Sequence, residues 1–76
     1  MKTVLIIALT YEHYRQYNLK NKRYFTSSIN YYYMFCPIQD IRGYADTELW
    51  VIGECYDKLN TIMEYCHTHN IQIRYH

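Results

Sequence analysis

The side chains with the most reactive chemistry lie around Cys55 and between Cys66 and His69. Cys66 and His69 are three residues apart, so on a helix they could share a metal ion. His13 or His76 would then have to supply further imidazole ligands, because zinc needs a closed tetrahedral set. The favoured interpretation is that Cys66 faces the core and that histidines near the helix C-terminus interact with its dipole. We therefore expect no metal ion and no cofactor.

Cys55 is the candidate nucleophile. It follows a predicted strand and precedes a predicted helix, whose N-terminus would lower the pKa of the thiol. His13 could act as its base. A phosphate loop of the C-x5-R type is absent, because Thr61 stands six positions after the cysteine. A small semi-buried cysteine is the favoured interpretation, and we expect a protein that is not an enzyme.

The junction after the first predicted strand argues against nucleotide chemistry. Residues 8–14 read ALTYEHY, without glycine and without Gly-Lys-Ser/Thr, and Glu12 would repel a phosphate. Glu54 ends a hydrophobic strand in the way that the metal-binding carboxylate of P-loop enzymes does, but without the glycine–lysine loop that likeness has little weight. A degenerate nucleotide-binding domain is therefore the weakest of three functional hypotheses.

Tyrosine is unusually frequent, with eleven in 76 residues. In a strand, Tyr31 and Tyr33 share one face and Tyr32 takes the other. Tyr31 and Tyr33 could stack on nucleic-acid bases, and the basic residues Lys20, Lys22 and Arg23 lie just upstream of them. The formal net charge is only +1 and no RNP-type motif is present. Nucleic-acid binding is therefore the alternative hypothesis.

Protein binding is the leading hypothesis, because tyrosine and arginine often dominate the energy of interfaces. The predicted surface is the first helix and the segment after it, comprising Tyr14, Arg15, Tyr17, Lys20, Lys22, Arg23 and Tyr24. Residues 1–23 hold five basic and one acidic residue, whereas residues 40–57 hold five acidic and one basic. The acidic stretch is the competing surface, and a homodimer is a further expectation.

The elements that position these residues begin with an apolar run over residues 3–9, which predicts a strand buried on both faces. Thr10 is the expected N-cap of a helix over residues 11–21, and Asn21 is its expected C-cap. Its predicted apolar face contains Tyr11, Tyr14, Tyr17 or Asn18, and Leu19.

Residues 24–28 fit either a short edge strand or a loop. An aromatic strand is predicted over residues 30–36, where Pro37 ends it. Residues 38–43 predict a turn or a single helical turn ended by Gly43. Asp46 and Thr47 then lead into a second central strand over residues 48–54.

The second main helix is predicted over residues 58–69, with Asp57 as its cap and Asn70 as its C-cap. Its spacing i, i+3, i+4, i+7 predicts a buried stripe. The stripe consists of Leu59, Ile62, Met63 and Cys66. Ile71, Ile73 and Tyr75 alternate with polar residues, which predicts a last strand with one wet face.

The order β-α-β-β-α-β predicts an α/β fold in a single small domain over residues 1–76. We expect a mostly parallel four-stranded sheet, a miniature of the Rossmann or flavodoxin type, with two main helices. The longest apolar run, residues 4–9, is far shorter than the ~20 residues that span a membrane. Three cysteines without C-x-x-C spacing agree with a cytoplasmic location.

The overall pattern resembles the small uncharacterised α/β proteins of tailed bacteriophages. The likeness comprises the TVLIIA strand, a helix rich in Tyr, Gln and Arg, and the sequence Asp40-Ile41-Arg42-Gly43 before a hydrophobic strand, a helix and a last strand. It implies a phage or mobile-element origin and action inside an infected bacterial host. It further implies a protein that binds and disables a host factor, including defence systems such as CRISPR. It assigns no functional residue.

Overall fold

A four-stranded parallel sheet organises the chain in a computed structural model that describes residues 2–42 and 47–76. The elements in chain order are β1 (Lys2–Ala8), α1 (Tyr11–Lys20), β2 (Ile29–Tyr33), α2 (Pro37–Asp40), β3 (Glu48–Ile52), α3 (Tyr56–Thr68) and β4 (Gln72–Tyr75). The predicted α/β class is confirmed, and every strand pairing in the sheet is parallel.

Strand order is β2-β1-β3-β4, so the most apolar strands are central. In the register, Leu5 of β1 lies opposite Tyr32 of β2 and Leu49 of β3. Side chains 4–8 of β1 and all five of β3 are buried, which confirms the prediction of strands covered on both faces. The edge strands β2 and β4 keep exposed positions.

The two main helices cover opposite faces of the sheet. Helix α1 joins β1 to its neighbour β2, and α3 joins β3 to its neighbour β4. Because β1 and β3 are the two central strands, the two connections run toward opposite edges of the sheet. Right-handed crossovers then place the helices on opposite faces. Accordingly, Leu59 and Ile62 of α3 pack with Leu5, whereas Tyr14 of α1 packs with Ile6.

Helix α1 begins and ends where the sequence predicts, but its buried face is narrower. The Thr10 side chain accepts a hydrogen bond from the His13 N–H, and Asn21 is the C-cap. Tyr14 and Tyr17 pack against the sheet. The prediction was wrong for Tyr11 and Leu19, which are both exposed. Leu19 lies about 200° around the helix from the inward-facing Tyr17, and Tyr11, at the start of α1, packs against the rings of Tyr14, Tyr33 and Phe35.

The predicted strands were too long at their carboxyl ends. β2 ends at Tyr33 and β3 at Ile52. The Met34 N–H still donates to the Ile6 carbonyl at 2.9 Å, but the chain then turns into α2, which begins at Pro37. Gly53 stops β3 because it takes a φ of 69°, a left-handed conformation that glycine adopts without steric cost.

Helix α3 starts earlier than predicted. Cys55 is its N-cap residue and the helix begins at Tyr56, so Asp57 lies in the first turn and is not the cap. There its carboxylate still faces the positive end of the helix dipole. At the other end the C-cap is His69, one residue before the predicted Asn70. Asn70 follows it with a φ of 56°, the left-handed conformation common just past a helix end.

The connections contain little regular structure. Lys22–Tyr24 form a 3-10 turn, and a loop rather than a strand leads on to β2. A single helical turn at Pro37–Asp40 confirms the predicted connection between the two central parts of the chain. Gly43, its predicted end, and Asp46 lie outside the described residues. Within residues 2–42 and 47–76, no helix has the length and apolarity needed to cross a bilayer.

Candidate functional site at the carboxyl edge of the sheet

The carboxyl ends of β1 and β3 form the topological switch point of the sheet. Their crossovers leave to opposite sides, which opens a crevice above the two strand ends. In open α/β sheets, this crevice is where ligands usually bind. The candidate site is therefore assembled from the residues that follow β1, β2 and β3.

The junction between β1 and α1 satisfies its polar groups with the chain's own side chains. Thr10 Oγ1 lies 3.3 Å from the His13 backbone nitrogen and 2.6 Å from His13 Nδ1. The Lys58 ammonium donates to the carbonyls of Ala8 at 3.1 Å and Leu9 at 2.7 Å. These groups hold the helix start and the strand end together, which ties α3 to β1 across the crevice.

Five large apolar side chains surround this edge and are 48–68% exposed. We call them the apolar rim: Leu9, Tyr11, Phe35, Ile38 and Tyr56. Tyr11 stacks on Phe35 with ring centroids 5.4 Å apart. Tyr33, half-buried beneath, contacts both rings at 5.2 and 4.8 Å. The exposed rings are therefore held against one another and against the sheet.

Shallow clefts connect three members of the apolar rim, Leu9, Ile38 and Tyr56. One cleft, of about 490 Å³, runs between α2 and α3 and is lined by Ile38, Asp57 and Lys58. A second shares Asp57 and Lys58 and continues to Leu9 and Tyr56. A third, of about 540 Å³, runs from Leu9 along α1. Leu9, Ile38 and Tyr56 therefore share connected clefts, whereas Tyr11 and Phe35 adjoin them along the chain, two residues after Leu9 and three before Ile38.

The predicted nucleophile is poorly placed for reaction. Cys55 is only 2% exposed, and its Sγ lies 3.8 Å from the Ile7 carbonyl oxygen and 3.7 Å from the Ile52 carbonyl oxygen. Burial raises the pKa of the Cys55 thiol, against the smaller lowering effects of Lys58 and of the hydrogen bond to Ile52. The expected lowering of this pKa by the helix N-terminus was wrong, because desolvation dominates.

The predicted metal pair is separated by the fold. Cys66 is fully buried in the core against α3's face of the sheet. His69 is exposed and stacks on Tyr65, with ring centroids 4.0 Å apart. Among the described residues, no group of three or more His, Cys, Asp or Glu is arranged to hold a metal ion. Glu54, the strand-end carboxylate, is exposed beside the apolar rim.

The predicted partner-binding surface is divided into two parts. Tyr14 and Tyr17 turn inward against the sheet, and burial raises the pKa of Tyr17. The remaining members are exposed: Arg15, Lys20, Lys22, Arg23 and Tyr24. The Arg23 guanidinium lies 5.1 Å from the Tyr24 ring centroid. Lys20 lines the third cleft, so this surface lies at the end of that cleft away from Leu9.

The strand tyrosines proposed for base stacking are occupied by other protein groups. Tyr31 contacts the rings of Phe25 and Trp50 at 4.8 and 5.4 Å. Its hydroxyl donates to the Tyr24 carbonyl. Tyr33 lies between Tyr14 and the apolar rim. A base could stack on either ring only by displacing protein side chains.

Two groups that sequence reasoning missed lie on the α1 face of the sheet. Glu48 is 5% exposed and binds Lys2 at 2.7 Å, Arg74 Nε at 2.6 Å and Trp50 Nε1 at 2.7 Å. His76 Nδ1 is hydrogen-bonded to the Tyr17 hydroxyl at 2.8 Å. A glutamate that starts an otherwise apolar strand was the signal for the first group. Its partners come from the two ends of the chain, which no local pattern shows.

The comparisons with known proteins provide no relative. No family model matches the chain, and no curated protein or solved structure matches it either. The functional argument therefore rests on the geometry of the carboxyl edge.

Proposed function

We propose that this chain is a non-enzymatic, phage-type protein that binds and inhibits a host protein in the bacterial cytoplasm, as an anti-CRISPR-like counter-defence factor would. The observation that carries the binding role is the apolar rim. Its five large apolar side chains are all about half or more exposed near one edge of the sheet, and exposed apolar clusters commonly mark interaction sites. The phage origin and the inhibition rest on the resemblance in sequence pattern.

The composition of the rim suits a protein partner. Tyrosine and phenylalanine are enriched in the cores of interfaces, where rings bury a large area at a small cost in side-chain entropy. Tyr11 and Phe35 are held by ring contacts, so little further ordering is needed on binding. A homodimer that uses the same rim is the competing occupant.

Photo-cross-linking in bacterial cells tests the proposal. A benzophenone amino acid would replace Phe35 in one variant and Tyr75 in a control, because Tyr75 is 63% exposed on the edge strand β4. We expect a cross-link to one non-self protein from position 35 only, and its loss on Tyr11→Ala. We also expect the purified partner to lose activity when this protein is added. Equal cross-linking from both positions, or cross-linking to itself alone, would contradict the proposal.

Nucleic-acid binding is kept as a second candidate because of one observation. Lys20, Lys22 and Arg23 are exposed and form no ion pair within residues 2–42 and 47–76. If they contact phosphates, the affinity for single-stranded DNA or RNA should fall as salt is raised. A plot of log affinity against log salt concentration should have a slope of about −0.7 per phosphate contact. Charge reversal at the three positions would then abolish gel shifts, whereas a pure protein binder gives none at physiological salt.

A further inference from the structure

Three exposed carboxylates lie next to members of the apolar rim. Glu12 follows Tyr11 in the first turn of α1, Glu54 follows β3, and Asp57 lies in the first turn of α3. All three are exposed, and Glu54 and Asp57 line the clefts between rim residues. The rim is therefore an apolar surface with a negative border.

These carboxylates are not neutralised by the rest of the protein. Within the part of the chain that the structure describes, both ion pairs involve Glu48, at the opposite end of β3. One cation, Lys58, lines the same clefts, and its ammonium donates to the carbonyls of Ala8 and Leu9. The border thus keeps a net negative charge toward any molecule that approaches the apolar side chains.

We infer that the partner presents a cationic amphipathic segment, in which apolar anchors that fill the rim are flanked by lysine or arginine. This inference rests on the proposed function and names the chemistry of the partner. Charge complementarity at the border of an interface raises the association rate and excludes partners of the wrong sign, even though each exposed pair adds little affinity. An acidic segment of equal hydrophobicity would be repelled by Glu54 and Asp57 in the clefts between rim residues.

Synthetic amphipathic peptides test the charge preference while the cellular partner is still unidentified. One labelled helical peptide is built only from leucine and lysine, and its match only from leucine and glutamate. By fluorescence anisotropy we expect the lysine peptide to bind at least about tenfold more tightly at about 0.15 M salt. Its affinity should decrease as salt is raised, and Phe35→Ala should remove most of the binding.

The decisive variant is Glu12→Lys, Glu54→Lys and Asp57→Lys combined, which should abolish or reverse the preference for the lysine peptide. The matched control is Glu64→Lys, because Glu64 is exposed on α3 and lines a different cleft. Circular dichroism would confirm that each variant is folded. A preference that survives the triple variant, or that Glu64→Lys removes equally, overturns the inference. So does the absence of binding by either peptide.

The outcomes separate this inference from the proposed function. If Phe35→Ala removes the binding of both peptides while the triple variant changes nothing, the charge argument fails and the apolar docking surface remains. If sedimentation shows a dimer that Phe35→Ala converts to a monomer, a second copy covers the rim and the inference is wrong. A cross-linked cellular partner with an acidic docking segment would also overturn it, with the proposed function intact.

Discussion

At the scale of single residues, Glu48 is the side chain whose environment departs furthest from the expectation for its type. A glutamate in a central strand is normally excluded by the cost of desolvation. Here burial by itself would raise the pKa of Glu48, but hydrogen bonds from Lys2 and Trp50 and the charges of Lys2 and Arg74 outweigh it and hold the pKa below 4.5. The carboxylate joins residues from both ends of the chain to β3.

We expect Glu48→Gln to lower the free energy of unfolding at pH 7 by about 1–3 kcal/mol. Lys2 and Arg74 keep contact with water, so the loss should stay below that of a fully buried pair. Because the folded pKa is depressed, the stabilisation is present above the ordinary pKa and is lost as pH falls through the folded value. Urea unfolding should therefore show the gap between wild type and variant closing below about pH 4. Glu64→Gln is the exposed control, and a gap independent of pH would contradict the assignment.

The three cysteines should differ sharply in reactivity. Burial raises the pKa of both Cys55 and Cys66, whereas Cys36 is exposed. Because only the thiolate reacts, we expect one thiol per folded chain to react rapidly with a disulfide reagent at mildly alkaline pH. All three should react in urea, and Cys36→Ser should remove the rapid phase. A second rapid thiol in the folded protein would mean that the edge around Cys55 opens.

At the scale of elements, α1 is placed by rings and not by an aliphatic stripe. Its first residue, Tyr11, contacts Tyr33 at the end of β2, whereas Tyr17 contacts His76 beyond β4. The helix therefore lies across the carboxyl half of the sheet. This orientation carries Tyr11 past the sheet edge and into the apolar rim.

Helix α3 holds the other face by a conventional buried stripe. Ile62 is fully buried, whereas Met63 is only partly covered. We expect Ile62→Ala to lower the free energy of unfolding by about 2–5 kcal/mol, through lost burial and the cavity left behind. Met63→Ala should cost only about 1 kcal/mol, less than a fully buried stripe residue would. Equal losses in urea unfolding would mean that the helix is rotated about its axis.

At the scale of the whole molecule, the third cleft joins two surfaces that differ in chemistry. The apolar rim with its carboxylates lies at one end, and the cations beginning with Lys20 lie at the other. Sequence reasoning favoured the second surface because tyrosine and arginine, which often dominate the energy of interfaces, occur together there. The structure exposes five large apolar side chains in the first.

Paired variants decide between the two surfaces once a partner has been cross-linked. We expect Tyr11→Ala with Phe35→Ala to weaken binding at least about tenfold, or 1.4 kcal/mol, by titration calorimetry. Arg23→Ala with Tyr24→Ala should weaken it less. Circular dichroism would confirm that both double variants are folded at the temperature of the titration. Loss of binding from the second pair alone would restore the surface predicted from sequence and exclude the rim.

Hydrophobic patterning and local signals determined the fold class, the parallel sheet and most element boundaries. The continuous apolar run of β1, the Thr10 cap and the stripe of α3 depend on neighbours in sequence, so a linear pattern contains them. The end of β2 was overestimated because the apolar residues 34–36 continue past it. The end of β3 was overestimated because the sequence does not show that Gly53 takes a left-handed conformation.

Only the tertiary structure decided which tyrosines are buried and which surface is exposed. The side chains of Tyr17 and Tyr31 pack against the core because α1 covers that face of the sheet. The position of α1 on the sheet is set by contacts between residues distant in sequence, such as Tyr17 and His76. The same packing brings Leu9, Phe35 and Tyr56 to one edge from the segments that follow β1, β2 and β3. A parallel sheet gathers the ends of non-adjacent strands, so its functional edge is assembled from residues whose proximity no local spacing records.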